Sequence, residues 1–311
     1  MRIAVVFPGQ ASQYVGMGQE LASRYAEAAQ TFKEADEALG ENFSRLLWEG
    51  PETELNLTAN TQPGVLAVSI AAWRVFEKAK PGLEPAFLAG HSLGEYSAHV
   101  VAGTFSFGDA LRTVRQRGRF MQEAVPVGEG AMAALMGIEA DAAAKACAEA
   151  AQGDVVVPAN DNAPGQVVIA GHARAVARAI EAAKALGCKK AVLLPVSAPF
   201  HSPLMAPARE KLDPVLRALP FQNPRWPVVA NFDALPTGTA EDARRKLIAQ
   251  VDAPVRWRET LQYLQGAGVD AIVEVGPGTV LCGLAKRVSR DWLLLNVENV
   301  ASLEKTLAAL G

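Results

Sequence analysis

The hydrophobic positions divide the outer parts of the chain into short apolar segments and longer segments with helical periodicity. The short segments are typical of buried strands and fall at residues 3–7, 86–89, 226–231 and 271–275. The longer segments predict helices at residues 19–39, 61–79, 93–101, 109–124, 240–250 and 280–288. Strands that alternate with helices indicate a mostly parallel sheet that helices cover on both faces.

The order of elements changes between residues 130 and 196. Strands are predicted at residues 131–137, 155–159, 166–170 and 190–196, and helices at residues 140–151 and 173–186. The order βαββαβ is typical of a ferredoxin-like unit. We therefore expect an α/β protein in which a ferredoxin-like subdomain, residues 129–196, is inserted into a larger domain formed by residues 1–128 and 197–311.

Composition adds the expectation of a globular protein of the cytosol. Of the 311 residues, 50% are hydrophobic and 20% are charged, and the net charge of −3 argues against a generally basic surface for nucleic acid. Cys147, Cys188 and Cys282 are scattered, which fits neither a disulfide framework nor a metal site and suits a reducing compartment. Residues 3–7 are too few for a signal peptide, and no apolar run reaches membrane-spanning length. We therefore expect a cytoplasmic protein that binds neither membranes nor nucleic acids.

The segment after the second predicted strand carries the first candidate chemistry. Gly90, Ser92 and Gly94 form the pattern G-x-S-x-G, in which a strand turns abruptly into a helix with a serine at the apex. The helix start supplies backbone N–H groups and a positive dipole end, which stabilise a developing oxyanion. Taken alone, the pattern fits a helix-capping turn equally well. As a nucleophile elbow, it predicts a reactive serine on an α/β-hydrolase-like core with a mostly parallel sheet.

A serine hydroxyl needs an adjacent base to act as a nucleophile at neutral pH, and the chain has four histidines. The side chain of His91 diverges from its neighbour Ser92, so we expect it to line the site, and His99 lies two helical turns on, at about 10 Å. His172 starts a helix of the inserted subdomain, where a surface or capping role is expected. His201 lies between two prolines where the chain re-enters the larger domain, and we predict that it is the base. No motif selects the acid that would orient the imidazole, and four carboxylates stay open: Asp233, Asp252, Asp270 and Glu274.

Six segments together carry a resemblance to a known family. They are GHSLGEYSA (90–98), FPGQASQ (7–13), RGRFMQEAVP (117–126), NAPGQVVIAG (162–171), PFHSPLM (199–205) and VEVGPG (273–278). In this order they resemble the malonyl-CoA:acyl-carrier-protein transacylases, the loading enzymes of type II fatty-acid synthesis. The resemblance spans nearly the whole chain and is far more specific than the elbow alone.

The resemblance implies a role for several residues around Ser92. Ser92 would be the nucleophile and His201 the base, with its imidazole held by a main-chain carbonyl that maps to Gln250. The oxyanion hole would be the backbone N–H groups of Gln10 and Leu93, which agrees with the elbow geometry. The reaction would be ping-pong, through a malonyl ester on Ser92, and would need no metal and no other cofactor.

The resemblance also implies how the malonyl group is recognised. Arg117 would bind its free carboxylate, which acetate lacks, and a guanidinium can grip a carboxylate through two parallel hydrogen bonds. The aromatic ring of Phe200, just before the base, would crowd the extra methyl group of methylmalonyl-CoA. Met121 and His91 would line the same site.

The implied partners are malonyl-CoA and an acyl carrier protein. Carrier proteins of this kind are acidic, so the mouth of the site is expected to be basic despite the negative total charge. Our candidate docking residues are Lys189, Lys190, Lys286 and Arg287. We expect a monomer.

Three other functions share part of this pattern. A serine esterase or thioesterase has the same elbow and base but resolves the acyl-enzyme with water. A non-catalytic scaffold would bind the carrier protein or CoA without a reactive Ser92. A stand-alone acyltransferase that serves polyketide assembly would run the same reaction, and the sequence does not separate it from fatty-acid synthesis.

Overall fold

The computed structural model describes residues 1–196 and 198–311, and Ser197, where we expect the chain to return to the larger domain, lies outside them. The strands in chain order are β1 (Ile3–Phe7), β2 (Phe87–Gly90), β3 (Gly130–Met136), β4 (Val156–Ala163), β5 (Gln166–His172), β6 (Lys190–Leu193), β7 (Val228–Val229), β8 (Pro236–Thr237), β9 (Ala271–Val275) and β10 (Leu293–Val297). The helices are α1 (Gln19–Arg24), α2 (Ala26–Leu39), α3 (Phe43–Glu49), α4 (Glu52–Leu55), α5 (Thr58–Ala79), α6 (Leu93–Val101), α7 (Phe107–Glu123), α8 (Ala140–Ala151), α9 (Ala173–Ala185), α10 (Ala206–Ala218), α11 (Ala240–Ala249), α12 (Trp257–Gly266), α13 (Val280–Val288) and α14 (Val300–Leu310).

A six-stranded sheet forms the centre of the molecule, in the order β10-β9-β1-β2-β7-β8. All neighbours are parallel except β7 and β8. Apolar side chains fill both faces of this sheet, and α5 is buried along most of its length. The expected α/β fold with a mostly parallel, covered sheet is therefore confirmed. Because the carboxyl ends of parallel strands meet at one edge, the loops after β1, β2, β7 and β9 lie side by side, where α/β sheets bind their ligands.

A separate four-stranded antiparallel sheet has the order β4-β5-β3-β6. Together with α8 and α9 it follows the chain order βαββαβ that the sequence predicts. Its own apolar core lies between the sheet and these two helices, with Leu135 and Ile169 fully buried. Its other face turns towards the large sheet, where Met132 and Val168 join the main core.

Several predicted bounds differ from the structure. The helix predicted at residues 19–39 is two helices, because Tyr25 has an extended backbone with φ −128° and ψ 126°. The strands predicted at residues 190–196 and 226–231 shrink to β6 and β7. The prediction also lacked α3, α4, α12, α14 and β10. No helix in the described part of the chain is long and apolar enough to cross a membrane.

Candidate active site

Ser92 stands at a sharp turn between β2 and α6. Its backbone has φ 51° and ψ −105°, an arrangement that L-residues rarely adopt and that the surrounding packing must hold in place. The turn depends on missing side chains: a Cβ on Gly90 would lie 2.0 Å from the carbonyl carbon of Gly94, and one on Gly94 would lie 2.0 Å from the Phe7 carbonyl oxygen. The predicted strand-to-helix elbow is therefore present, and the end of β1 packs directly against it.

His201 lies against the serine. Its Nε2 is 2.7 Å from Ser92 Oγ. Its Nδ1 is 3.0 Å from the Gln250 carbonyl oxygen and 3.2 Å from the Ala253 carbonyl oxygen. Carbonyl oxygens only accept hydrogen bonds, so the proton sits on Nδ1 and Nε2 is free to accept the serine proton. The structure thus brings together the two residues that the sequence predicts as nucleophile and base.

Among the described residues, the main-chain carbonyls of Gln250 and Ala253, and no carboxylate, orient this imidazole. The four carboxylates left open by the sequence are engaged elsewhere: Asp233 pairs with Lys246 at 3.1 Å, Asp252 with Arg209 at 3.1 Å, Asp270 accepts from the Arg2 amide at 2.6 Å, and Glu274 accepts from the Leu281 and Cys282 amides at 3.0 and 2.8 Å. The carbonyl oxygens carry only a partial negative charge, so they favour the protonated imidazole less than a carboxylate would.

The surroundings of His201 hold it neutral. Its pKa is lowered to about 3, chiefly by burial and then by the positive charge of Arg117 and by His91, and the two carbonyl hydrogen bonds only partly oppose this. At neutral pH the imidazole is therefore unprotonated and available as a base.

Arg117 projects from α7 into the same site and is 1% exposed. Its Nη2 donates to Ser92 Oγ at 3.1 Å and to Gln250 Oε1 at 2.9 Å, and its Nη1 donates to Gln62 Oε1 at 2.8 Å. Its Nε is buried without a hydrogen-bond partner, and none of the ion pairs among residues 1–196 and 198–311 includes this guanidinium. Burial lowers the pKa of Arg117 from its ordinary value. A buried cation that no carboxylate contacts directly is a receptor for an anionic ligand.

Gln10, in the loop after β1, and Leu93, the first residue of α6, flank the serine. A Cβ on Gly9 would lie 2.4 Å from the His91 carbonyl oxygen, so the loop after β1 runs against the elbow. Neither the Gln10 nor the Leu93 amide donates a hydrogen bond to any group of the described residues. Two free N–H groups beside a serine are the arrangement that an oxyanion hole requires.

A cavity of about 350 Å³ opens over Ser92, a volume typical of small-molecule sites. Its walls include seven of the predicted site residues: Gln10, His91, Ser92, Arg117, Met121, Phe200 and His201. Met132, Ala134 and Val168 of the small sheet form an apolar wall. His91 Nε2 lies 2.8 Å from Asn162 Oδ1 of β4, so this histidine joins the elbow to the small sheet.

Two buried residues that support the elbow were not predicted from the sequence. Asn231 Oδ1 accepts from the Ser92 amide at 2.6 Å, and its Nδ2 donates to the Gly90 carbonyl at 2.7 Å. Glu95 Oε2 accepts from the Asn231 amide at 2.9 Å and from Gln250 Nε2 at 2.8 Å. Glu95 could have been singled out from the sequence, because it is a charged residue in the otherwise apolar first turn of the elbow helix.

Comparisons with known proteins identify the family of the chain. The acyl transferase domain family matches residues 4–305. The chain is 50% identical to the malonyl CoA-acyl carrier protein transacylase of Escherichia coli (strain K12), over 92% of this chain and 93% of that protein. It is 46% identical to the protein of the same name from Bacillus subtilis (strain 168), over 99% and 97%.

Solved structures give the same result. An acyl carrier protein S-malonyltransferase from Vibrio cholerae is 49% identical and superposes with a TM-score of 0.95, covering 98% of this chain and all of that one. A malonyl-transacylase solved in complex with its type II PKS acyl-carrier protein is 47% identical with a TM-score of 0.97, covering 99% of this chain and 100% of that chain. The chain therefore belongs to the acyl transferase family, in the group of the malonyl CoA-acyl carrier protein transacylases.

Proposed function

We propose that this protein moves a malonyl group from malonyl-CoA to the phosphopantetheine thiol of an acyl carrier protein, through a malonyl ester on Ser92. Family membership supports the reaction class. The site residues that follow are our assignment from the contacts described above.

In the first half-reaction, His201 Nε2 removes the proton of Ser92 Oγ as the oxygen attacks the thioester carbonyl. The carbonyl oxygen becomes an oxyanion, which the Gln10 and Leu93 amides stabilise. The C–S bond then breaks, and His201 returns the proton to the leaving CoA thiolate. The Nδ1 hydrogen bond to the Gln250 carbonyl keeps the ring oriented throughout.

In the second half-reaction, the thiol of the carrier's phosphopantetheine takes the place of CoA. His201 accepts its proton, the thiolate attacks the malonyl ester, and the same two amides stabilise the new oxyanion. Ser92 leaves with the proton from His201. Both steps use only side chains and amides of this chain, so the proposal includes neither a metal nor another cofactor.

One observation carries the choice of acyl group: the unpaired guanidinium of Arg117 next to Ser92. A malonyl group places its free carboxylate two carbons from the attacked carbonyl, and a buried cation at this distance selects such a dicarboxylic group. A general esterase or thioesterase does not need a buried cation beside its nucleophile. Met121, Phe200 and His91 line the rest of the cavity, and we assign the bulk of Phe200 to the exclusion of an α-methyl substituent.

Intact-protein mass spectrometry tests the proposal. Incubation with malonyl-CoA should add one malonyl group, mapped to Ser92, and addition of holo carrier protein should remove it. Immediate loss of the adduct to water would support the hydrolase, and absence of any adduct would support the scaffold. Holo carriers of fatty-acid and polyketide synthesis, compared in the same assay, decide which pathway the enzyme serves.

The rate of Ser92 malonylation should not fall when the pH is lowered from 8 to 5.5. The reactive form of His201 is the neutral one, and a pKa of about 3 keeps it neutral over this range. An ordinary histidine, with a pKa of about 6.5, would lose roughly tenfold in rate at pH 5.5. Single-turnover malonylation followed by mass at each pH measures this, and an inflection near 6.5 would contradict it.

Two pairs of basic residues support a docking surface for the carrier protein. Lys189 packs against Gly137, whose amide donates to the Gly165 carbonyl at 2.8 Å. Arg287 donates to Gln166 Oε1 at 2.9 Å, and Gln166 lines the cavity. Lys190 pairs with Met136, which also lines the cavity, and Lys286 shares a surface pocket with Pro164 and Arg287. We infer that the four candidate residues lie around the turn between β4 and β5: Lys189, Lys190, Lys286 and Arg287. We propose that this surface receives the acidic carrier.

Replacing Lys189 and Lys286 together by glutamate should raise the KM for the carrier protein about tenfold, because charges at an interface rim steer association. Malonylation of Ser92 from malonyl-CoA should keep its rate, since neither side chain reaches Ser92. Lys33→Glu, an exposed charge reversal on α2, is the matched control. Unchanged carrier kinetics in the double variant would remove this docking surface.

We also propose the division of the chain into a catalytic unit, residues 1–128 and 197–311, and a small ferredoxin-like unit, residues 129–196. The separate sheets and separate apolar cores support it. Free cysteines throughout the described residues support a reducing, cytoplasmic setting. A monomer is sufficient for the mechanism, because one chain supplies every group that it uses.

A further inference from the structure

Glu95 is a buried carboxyl group that the mechanism does not use. It lies one helical turn after Ser92 on α6 and has no exposed surface. Its Oε2 accepts from the Asn231 amide and from Gln250 Nε2, whereas its Oε1 has no partner. No cation within residues 1–196 and 198–311 forms an ion pair with it. Burying a carboxyl group without a cation costs free energy, so we expect Glu95 to have a role that compensates for this cost.

The hydrogen bonds lead from Glu95 to the substrate site through one amide. Gln250 Nε2 donates to Glu95 Oε2 at 2.8 Å and to the Ser92 carbonyl at 3.0 Å. Its Oε1 accepts from Arg117 Nη2 at 2.9 Å. Because Oε2 of Glu95 accepts, the NH₂ end of the amide must face it, and the oxygen must then face Arg117. If the amide were rotated by half a turn, its NH₂ group would face the guanidinium and all three hydrogen bonds would be lost.

The protonation state of Glu95 does not alter this orientation. Burial raises the pKa of Glu95 to about 7, against its hydrogen bonds from Asn231 and Gln250, so both forms are present at neutral pH. The unpartnered Oε1 can carry the proton, and Oε2 accepts in either form. The feature that matters is therefore an acceptor at a fixed position, and the charge is secondary.

We propose that Glu95 is a positioning residue for malonyl specificity: it holds the Gln250 amide in the orientation that keeps the Arg117 guanidinium beside Ser92. The inference rests on the proposed function, because it assumes that Arg117 binds the malonyl carboxylate. It adds that this selectivity depends on a residue that touches neither the substrate nor the arginine.

Two variants separate the acceptor from the charge. Glu95→Gln keeps an oxygen at the position of Oε2 and removes the charge. Glu95→Asp keeps the charge but draws the acceptor back by roughly 1.5 Å, which breaks the bond to Gln250. We expect Glu95→Asp to raise the KM for malonyl-CoA about tenfold with kcat within threefold, and to leave acetyl-CoA loading unchanged. Glu95→Gln should keep the wild-type ratio of malonyl to acetyl loading, although it melts at a lower temperature.

Buried Glu274 supplies the matched control. It accepts two amide hydrogen bonds at the start of α13, away from Gln250, and burial raises its pKa to about 7 as well. Glu274→Asp should lower the melting temperature without changing the malonyl-to-acetyl ratio. If Glu95→Asp does the same, Glu95 is merely structural and the proposal fails.

Two further outcomes would also contradict the proposal. Loss of the ratio in Glu95→Gln with retention in Glu95→Asp would assign the effect to charge and overturn the proposal. If Glu95→Asp does not fold, Gln250→Met removes the amide itself, and an unchanged ratio there overturns the proposal equally. A wild-type protein that is not malonylated on Ser92 would instead overturn the proposed function, so the two failures are distinguishable.

Discussion

Replacing His201 by alanine should slow malonylation of Ser92 by about 10³-fold, within the range that a positioned general base contributes. The imidazole is the one base within hydrogen-bond distance of Ser92 Oγ among the described residues, since the other contact of that oxygen, Arg117 Nη2, is a donor. Without it, a hydroxyl of ordinary acidity must attack the thioester unaided. The amides of Gln10 and Leu93 remain, so a slow residual reaction should persist. Single-turnover mass measurements give the rate.

His172→Ala is the control for this prediction. His172 lies at the end of β5, where its Nδ1 accepts from the Val155 amide at 3.0 Å, and it does not line the cavity over Ser92. This variant should malonylate at the wild-type rate. Full activity of His201→Ala would instead point to a serine–aspartate mechanism of the patatin kind, with an unrecognised acid as the base, and would refute the assigned pair.

The elements around the elbow could be predicted because their signals are local. The glycines at positions 90 and 94 and the apolar run before them are close neighbours in the chain, and together they predict a strand-to-helix turn. The inserted unit was equally readable, since six elements in the order βαββαβ need no knowledge of distant contacts. The break at Tyr25 was not, because the apolar periodicity continues across it and only packing decides where the helix ends.

The groups that hold the site in place could not be predicted in this way. The Gln250 carbonyl that orients His201 belongs to the main chain and leaves no trace in the sequence; only the family resemblance indicated it. Asn231 follows β7, which pairs with β2, so finding it required the strand order of the sheet. Glu95 was visible as an out-of-place charge, but its partners are 136 and 155 residues away along the chain. The residue types therefore predict which catalytic groups are present, whereas the orientation of those groups depends on long-range contacts.

Replacing Arg117 by alanine should lower kcat/KM for malonyl-CoA by about 10²–10³-fold, because two charge-assisted hydrogen bonds to the carboxylate are lost. Loading from acetyl-CoA should hold or rise, since the wild-type site leaves a buried guanidinium without an anion when acetyl is bound. Arg117→Lys keeps a charge but loses the planar fork, and it should fall between the two. Competition of the two thioesters for Ser92, read by intact mass, measures the ratio directly.

Arg112→Ala tests whether the effect belongs to this arginine alone. Arg112 lies on the same helix, half-exposed, and pairs with Asp109 at 2.7 Å, so its loss should leave both rates unchanged. Equal loss of malonyl and acetyl loading in Arg117→Ala would mean that the guanidinium supports Ser92 Oγ, which it contacts at 3.1 Å, and does not select the substrate. A loss specific to malonyl would mean that the guanidinium gives up its hydrogen bond to Ser92 Oγ and binds the malonyl carboxylate in its place. The charge that selects the substrate then lies directly beside the nucleophile, so selection and acylation take place in one cavity.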